Sequence, residues 1–599
     1  MMFARRAVLI PALVVGAWLG LHGLLLFTLD PSPIDGELAD TDSYMRLVRI
    51  EELAGGDGWY DSTIERGNAP YGDELHWTRP FDVMVLAMAL PLRAALPLHD
   101  ALFWAGAIIC PLLHLALIWA AAWAARPLVP RHTSLVGAMV FVHPAILGQV
   151  MPGRLDHHAL QLVLFALLVG CLVRLLRGEA RLLAVVAGVT AALGVWVSIE
   201  MLIPAAALLG ALAAAWVAGG RRAVLDNALI ASTTAAAGLA LALPIERAPA
   251  DLFAAEPDRL SFMHVFALAA AAVGLWLVRA VGARYQRATS RLALATVVGA
   301  VAAVSVAAPF PDLLLGPEGA VDPALRPIWL DKVAEMRPLW PATSGWSPFL
   351  LLAGQALILL PASVWLTVTR ARRDASGAWA VVIAVAAGEL ALAMLHARFA
   401  AFLAVVSAIV LAAWLAELRA ALAALKFPLV ARTAWAGAVS GCVAGALVAG
   451  AVASSASAST GAELPETCRP KALAEFLEAD SRFAGRPLVI AAGIDSGPEL
   501  LYRTPFGVLA GPYHRNADGI LDLHNLYTGS LAGARAIVEE RGVDLILVCP
   551  SEGENAFLAD PQAGSLLHSV RADAVPSWLD PVVLPADLAG RYSLFEVKQ

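Results

Sequence analysis

Charge is scarce in this chain. Only 15% of its 599 residues are Asp, Glu, Lys or Arg, against roughly 25% in a soluble domain. With 59% of the residues hydrophobic, that shortage excludes an ordinary soluble enzyme. Cysteine is scarce too. There are five, at 110, 171, 442, 468 and 549, and no two have the spacing of a metal site. Cys110, Cys171 and Cys442 lie in apolar runs and read as small core residues. Cys468 and Cys549 lie in the C-terminal part, where a disulfide between them is compatible with an oxidising compartment. There is no Gly-rich nucleotide loop and no internal repeat. No domain gathers the basic residues, so nothing points to nucleic acid.

What is abundant is apolar sequence in runs of about 17–25 residues, the length that crosses a bilayer core as helix. Net charge is -7, but its placement says more. Arginines cluster between alternate runs: Arg5 and Arg6; Arg126 and Arg131; Arg174, Arg177 and Arg181; Arg221 and Arg222; Arg279, Arg284, Arg287 and Arg291; Arg370, Arg372 and Arg373; Arg419, Lys426 and Arg432. By the positive-inside rule these loops are cytoplasmic, and the acidic loops between them face outward.

The first run, about 7–28, could be a signal peptide. It lacks a small-residue cleavage pattern and runs long, so it reads as an uncleaved first span with the N-terminus inside. A first outer loop over 29–100 follows, rich in Trp and Tyr. Its apolar stretch 81–98 is short and holds Pro91, Arg93 and Pro97, so a helix in the outer interface is expected there rather than a span. Further spans are expected at about 101–125, 133–150, 159–177, 182–198, 201–218, 223–243, 264–280, 291–309, 347–369, 377–395, 399–417 and 433–453. That makes roughly 13, with the C-terminus outside in the periplasm. An outer loop spans 310–346, and a small, polar linker spans 456–466. In 467–599, "GRPLVIAAG" and "GVDLILVCP" read as buried strands and "SLAGARAIVEERG" as an amphipathic helix, which predicts an α/β domain.

Three outer loops place ionisable residues at span ends, where such groups are costly to bury. "DTDSY" carries Asp40 and Asp42; "RLDHH" carries Arg154, Asp156, His157 and His158; "DKVAEMRPLW" carries Asp331, Glu335 and Arg337. Carboxylates with a neutral imidazole suit Mn2+ or Mg2+. The plainer reading of Asp156 is an N-cap for the span starting near Ala159, and both can hold. Arg398, in "LHARFAAFLA", lies on the outer face against the charge trend. It is either a snorkelling arginine or a planar fork for a phosphate.

Four stretches carry a family resemblance: "DSYMRLVR", "GRLDHHALQ", "VAEMRPLW" and "ARFAAFLA". In order and approximate spacing they resemble the catalytic subunit of oligosaccharyltransferase, within the C-type (GT-C) glycosyltransferase superfamily, over residues 1 to about 455. The resemblance implies a GT-C-like polytopic α-helical fold over 1–455; the α/β domain, read from its own strands and from the charge placement, is expected outside an inner membrane. It implies that Asp42, Asp156 and His158 bind a divalent metal, that Glu335 completes or steadies the site, and that Arg398 holds donor phosphate. Asp42 and Glu335 would orient the acceptor; Asp40 and His157 are accessory. Two departures stand out. Where the family carries an arginine seven residues before the second-loop aspartate, this chain has Gln149, and Arg154 is the candidate substitute. The Trp-Trp-Asp motif that reads the acceptor hydroxyl in protein N-glycosylating members is missing; the C-terminal domain's only tryptophan is Trp578.

The expected activity is therefore metal-dependent, inverting transfer of a sugar or oligosaccharide from a polyprenyl-phosphate or -diphosphate donor, among membrane lipids, to an acceptor protein, lipid or glycan. Two rivals remain. A transporter or lipid-linked-glycan flippase predicts ionisable residues near mid-span, whereas here they sit mainly at span ends, Glu200 included. A catalytically dead scaffold predicts tolerance of Asp156→Ala. The stretch "GPYHRNADGILDLHNLYTG" either lines the acceptor site or is a surface loop.

Overall fold

A computed structural model describes residues 2–56, 58–178, 181–458, 468–549, 557–559 and 561–598. In hydrocarbon the backbone must satisfy its own hydrogen bonds, so the apolar runs become helices. Among the described residues nine helices are long and apolar enough to cross a membrane, or up to 11 if each of two bent pairs is one span. One pair, Thr133–Val142 with Pro144–Val150, bends by 65°. Pro144 lacks an amide hydrogen, which breaks the ladder, and His143 Nδ1 accepts from the Ala145 N–H instead, at 3.2 Å. The other, Trp346–Ala353 with Ala356–Arg373, bends by 46°. Arg181–Val197 falls short of full span length, and Pro428–Ala458 runs 31 residues as one helix. Every expected span thus has a helix, although fewer meet the strict length and apolarity criterion.

Two helices form the centre of the bundle, His158–Leu176 and Ala397–Ala423, with 83% and 89% of their apolar windows buried. Small residues let neighbours come close. Gly170 is one such point: a Cβ there would lie 2.2 Å from the Trp123 ring on Leu98–Ala125.

The segment expected as the first outer loop is structured over its described residues. It holds the helix Thr41–Gly55, a hairpin of β1 (Thr63–Ile64) and β2 (Asp73–Glu74), and the helix Arg79–Leu92. That last helix covers most of the interfacial segment expected at 81–98. At 14 residues it is too short to cross, and Phe81, Val85 and Ala89 are buried in the main apolar core. Its first turn is not at a lipid surface at all. Asp82 is fully buried and pairs with Arg46 at 3.0 Å, Arg49 at 3.2 Å and Arg79 at 3.6 Å.

The C-terminal part builds a five-stranded mixed sheet. Its order is β4 (Gly507–Val508), β3 (Val489–Ala491), β5 (Leu545–Val548), β7 (Ser593–Val597), β6 (Leu579–Pro581). β3 pairs in parallel with β4 and β5; β7 is antiparallel to β5 and β6. The two strands read from sequence are β3 and β5, and the expected amphipathic helix is Leu531–Arg541. Cys468 and Cys549 are joined as a disulfide. Of the expected linker, 456–458 belong to the helix Pro428–Ala458, and 459–466 lie outside the described residues.

Sheet and outer loop share one apolar core. Met45, Val48, Ile64, Leu75 and Trp77 of the loop pack with Leu473, Leu477, Phe506 and Tyr513. The loop also extends the sheet edge: Val508 N–H donates to Arg66 O at 2.8 Å, and Ala69 N–H to Val508 O at 2.9 Å.

Candidate active site

The two acidic loops meet because the segment 151–157 is pinned onto residues 39–43. Ala39 N–H donates to Gly153 O at 3.0 Å, and Leu155 N–H to Ser43 Oγ at 2.8 Å. Gly153 sits at φ 85°, where a side chain is strained, and a Cβ would come within 3.0 Å of Pro33. Asp40 caps the helix Thr41–Gly55 by accepting from Ser43 N–H at 3.0 Å. Arg154 bridges the loops, 3.4 Å from Asp40 and 3.5 Å from Asp156.

Asp156 does not cap the next span. That helix starts at His158 with His157 at the cap position and no side-chain cap bond, so the capping reading is overturned. The buried Asp156 carboxylate turns instead to its neighbours, with Oδ1 2.7 Å from His157 Nδ1 and Oδ2 3.4 Å from His158 Nε2. One ligand atom from each of Asp156, His157 and His158 lies within 4.8 Å of the others. Among the described residues no other such group of three occurs, and Asp42 is not part of this one. The expected set of Asp42, Asp156 and His158 is therefore only partly a single tight cluster.

Gln161, one turn on and fully buried, holds His158: His158 Nδ1 lies 2.9 Å from Gln161 Oε1. With Nδ1–H donated there, the Nε2 lone pair faces Asp156, the arrangement by which outer partners orient a metal-ligating histidine. His157 Nδ1 also lies 3.1 Å from Arg46 Nη2. One nitrogen cannot serve both neighbours: protonated it donates to Asp156, and unprotonated it accepts from Arg46.

Asp42 stands in the first turn of Thr41–Gly55. Burial and the facing carboxylates of Asp40, Asp156 and Glu335 push its carboxyl up to about 8, against the pull of Arg154. Burial also raises Asp156, but His158, His157 and Arg154 outweigh it and hold that carboxyl well below the usual range. Glu335 ends up below its usual value because Arg398 and His158 outweigh its burial.

Glu335 arrives with the 331–337 segment, which pairs along 396–398: Ala397 N–H donates to Arg337 O at 2.9 Å and Arg398 N–H to Glu335 O at 3.0 Å. Arg398 grips two acids, Glu200 at 2.6 Å and Glu335 at 2.7 Å, and its Nε makes no hydrogen bond. Among the described residues the side chains of Asp331 and Arg337 form no ion pair with this group. Five carboxylates (Asp40, Asp42, Asp156, Glu200, Glu335) thus surround two arginines. An excess of acid, with an oriented imidazole lone pair beside Asp156, fits a divalent cation.

Sequence reasoning missed Gln161, Arg46 and Ser43, and gave Glu200 no role. Gln161 carried a signal, since it stands three residues after His158, on the same helical face.

The membrane body and C-terminal sheet define a class: the protein is a multi-pass membrane protein whose fold is like that of solved oligosaccharyltransferase structures. No protein-family model matches the chain, and no curated protein matches it by sequence. The fold assignment rests on solved structures of the oligosaccharyltransferase AglB from Archaeoglobus fulgidus. The complex with an inhibitory peptide and a dolichol-phosphate is similar with a TM-score of 0.67 at 14% identity, covering 86% of this chain and 66% of that one. The apo form gives 0.69 at 14% identity, covering 91% and 69%. The complex with Zn and sulfate gives 0.59 at 14% identity, covering 86% and 64%. The chain therefore spans about two thirds of the archaeal enzyme's length.

Proposed function

We propose that this protein is a membrane glycosyltransferase that moves a sugar or oligosaccharide from a polyprenyl-phosphate or -diphosphate carrier to an extracytoplasmic acceptor, with inversion at the anomeric carbon. The observation that carries the reading is the convergence of Asp156, His158, Asp42, Glu335 and Arg398 from separate loops on one side of the bundle. The fold neighbour's complexes with a dolichol-phosphate, with peptides and with Zn support it.

In this reading Asp156, His158 and Asp42 hold a Mn2+ or Mg2+ ion, and Glu335 steadies them. The ion would supply charge stabilisation for a departing phosphate. Arg398 presents guanidinium N–H groups to donor phosphate, which competes with Glu200 and Glu335 for them; Arg154 adds a second positive charge. The acceptor nucleophile attacks the anomeric carbon as the bond from that carbon to the phosphate oxygen breaks. The bonding electron pair leaves with the phosphate. The nucleophile's proton passes to Asp42 or Glu335.

The same reading makes 1–455 the catalytic membrane part and 467–599 a periplasmic domain, with the N-terminus cytoplasmic in an inner membrane. Cysteine labelling from either side tests that orientation.

One observation favours the transporter rival. Glu389 is buried inside the span Ala378–Leu395, and its Oε2 makes no hydrogen bond. The deciding experiment incubates purified protein with a polyprenyl-phosphate or -diphosphate sugar and Mn2+ and measures the lipid phosphate or diphosphate set free. Release is expected from the wild type and not from Asp156→Ala. Sugar movement across vesicles without release would assign the protein to transport.

A further inference from the structure

A cleft of about 620 Å3 opens between the first outer loop and the C-terminal domain. Sites for small ligands run from about 300 to 1,000 Å3. One side is the later half of the helix Thr41–Gly55, with Val48, Glu51 and Glu52. The C-terminal domain supplies Leu501–Pro505, from the end of the helix Gly497–Arg503 onward. His99, at the start of Leu98–Ala125, ties the two together. Its Nδ1 lies 3.1 Å from Glu51 Oε1, and its ring stacks on Tyr502 with centroids 4.5 Å apart at 13°. Imidazole and carboxylate are thus held in place, yet their side chains stay 46% and 37% exposed.

This cleft is separate from the acidic centre. Glu51 stands nine residues after Asp42 on one helix. That is about 14 Å along the axis and about two and a half turns, so the two side chains leave on opposite sides.

The charges select the occupant. Arg66 and Arg503 line the cleft, but their donors are spent. Arg66 donates to the carbonyls of Leu501, Thr504 and Phe506. Arg503 donates to Glu499 at 2.6 Å and to Gly36 O at 2.8 Å. A phosphate would face Glu51 and Glu52 and find both guanidinium forks engaged. A polycation would face the two arginines. A neutral polyhydroxyl ligand suits both signs, because each hydroxyl donates and accepts. Its C–H faces can rest on Val48, Leu501 and Pro505.

We propose that this cleft is an accessory saccharide site in which Glu51, Glu52 and His99 hold a short neutral glycan outside the catalytic centre. The choice of a glycan as occupant also rests on the transferase reading above.

The test is saturation-transfer NMR on the purified full chain in detergent. The probes are maltotriose, mannotriose and chitotriose, with trigalacturonate and the glucosamine trimer as charged controls. At least one neutral trisaccharide is expected to bind in preference to both controls. Glu51→Ala removes a carboxylate and Pro505→Trp fills the cleft; each is expected to weaken binding about tenfold with an unchanged gel-filtration profile. No neutral trisaccharide bound, preference for a charged control, or wild-type affinity in both variants overturns the proposal. Kinetics then separate two sources of the glycan, using donors that carry one sugar or several. A KM rise in Glu51→Ala confined to the longer donor assigns the cleft to the donor's glycan. Unchanged KM for both, with trisaccharide binding weakened, assigns it to a glycan of the acceptor. An equal KM rise for both donors places the effect at the catalytic centre and overturns the proposal. Trisaccharide binding without any lipid-phosphate release upholds the cleft and removes the transferase reading; release without trisaccharide binding does the reverse.

Discussion

A histidine can hold a cation only if the correct nitrogen is free, and Gln161 decides that for His158. Gln161→Leu should keep the buried volume and lose the bond that fixes the ring. Calorimetry is expected to show Mn2+ affinity lowered about 10–100-fold, with the melting temperature little changed. Asp156→Ala removes the acid that His157, His158 and Arg154 all face, and its loss of lipid-phosphate release should exceed that range. Asp156 and His158 were legible in the sequence because they are two residues apart, so one loop holds both. Gln161 was readable from a different spacing, three residues after His158 on one helical face. Asp156 as a cap was a fair expectation from residue type alone. It failed because the backbone starts its helix at His158, and electrostatics within the cluster claimed the carboxylate.

The loop 151–157 depends on one backbone conformation. Gly153→Ala should cost about 1–3 kcal/mol, from its positive φ and from the approach of Pro33 at 3.0 Å. Chemical unfolding of the purified protein measures it, and lipid-phosphate release should fall with it. A second element, the clamp of Arg515 on Glu256 and Asp258, carries a pH dependence. Arg259 and Arg515 outweigh burial and hold the Glu256 carboxyl down to about 2, while Asp258 is held still lower by His514 and Arg515. Folded-state values below the unfolded ones stabilise fully above about pH 4, and that stability drains away as pH falls from there towards about 2. The melting temperature should therefore drop below about pH 4, with a smaller drop in Arg515→Ala. Nothing in the sequence announced this clamp. Each partner looks like a solvated loop charge, and only tertiary placement joins 256–258 to 514–515.

Hydropathy made the membrane body legible, since each run of apolar residues has a single outcome in lipid. The strands β3 and β5 were legible for the same reason, as short apolar stretches between turn residues. What stayed hidden was how outer loop and sheet join. Arg66 donates to the carbonyls of Leu501, Thr504 and Phe506, and such backbone contacts leave no residue pattern. The disulfide Cys468–Cys549 closes 81 residues of sequence. Its reduction should cost about 2–5 kcal/mol, read as a lower unfolding midpoint for the C-terminal sheet under dithiothreitol.

That common core has a practical corollary for anyone hoping to work with separate fragments. Cut after the last span, the truncated polypeptide would present Met45, Val48, Ile64 and Trp77 to water with nothing to cover them. The excised sheet would be left with a matching bare flank of its own. Dissection should yield two sticky, poorly soluble pieces, and biochemistry on this molecule needs it whole.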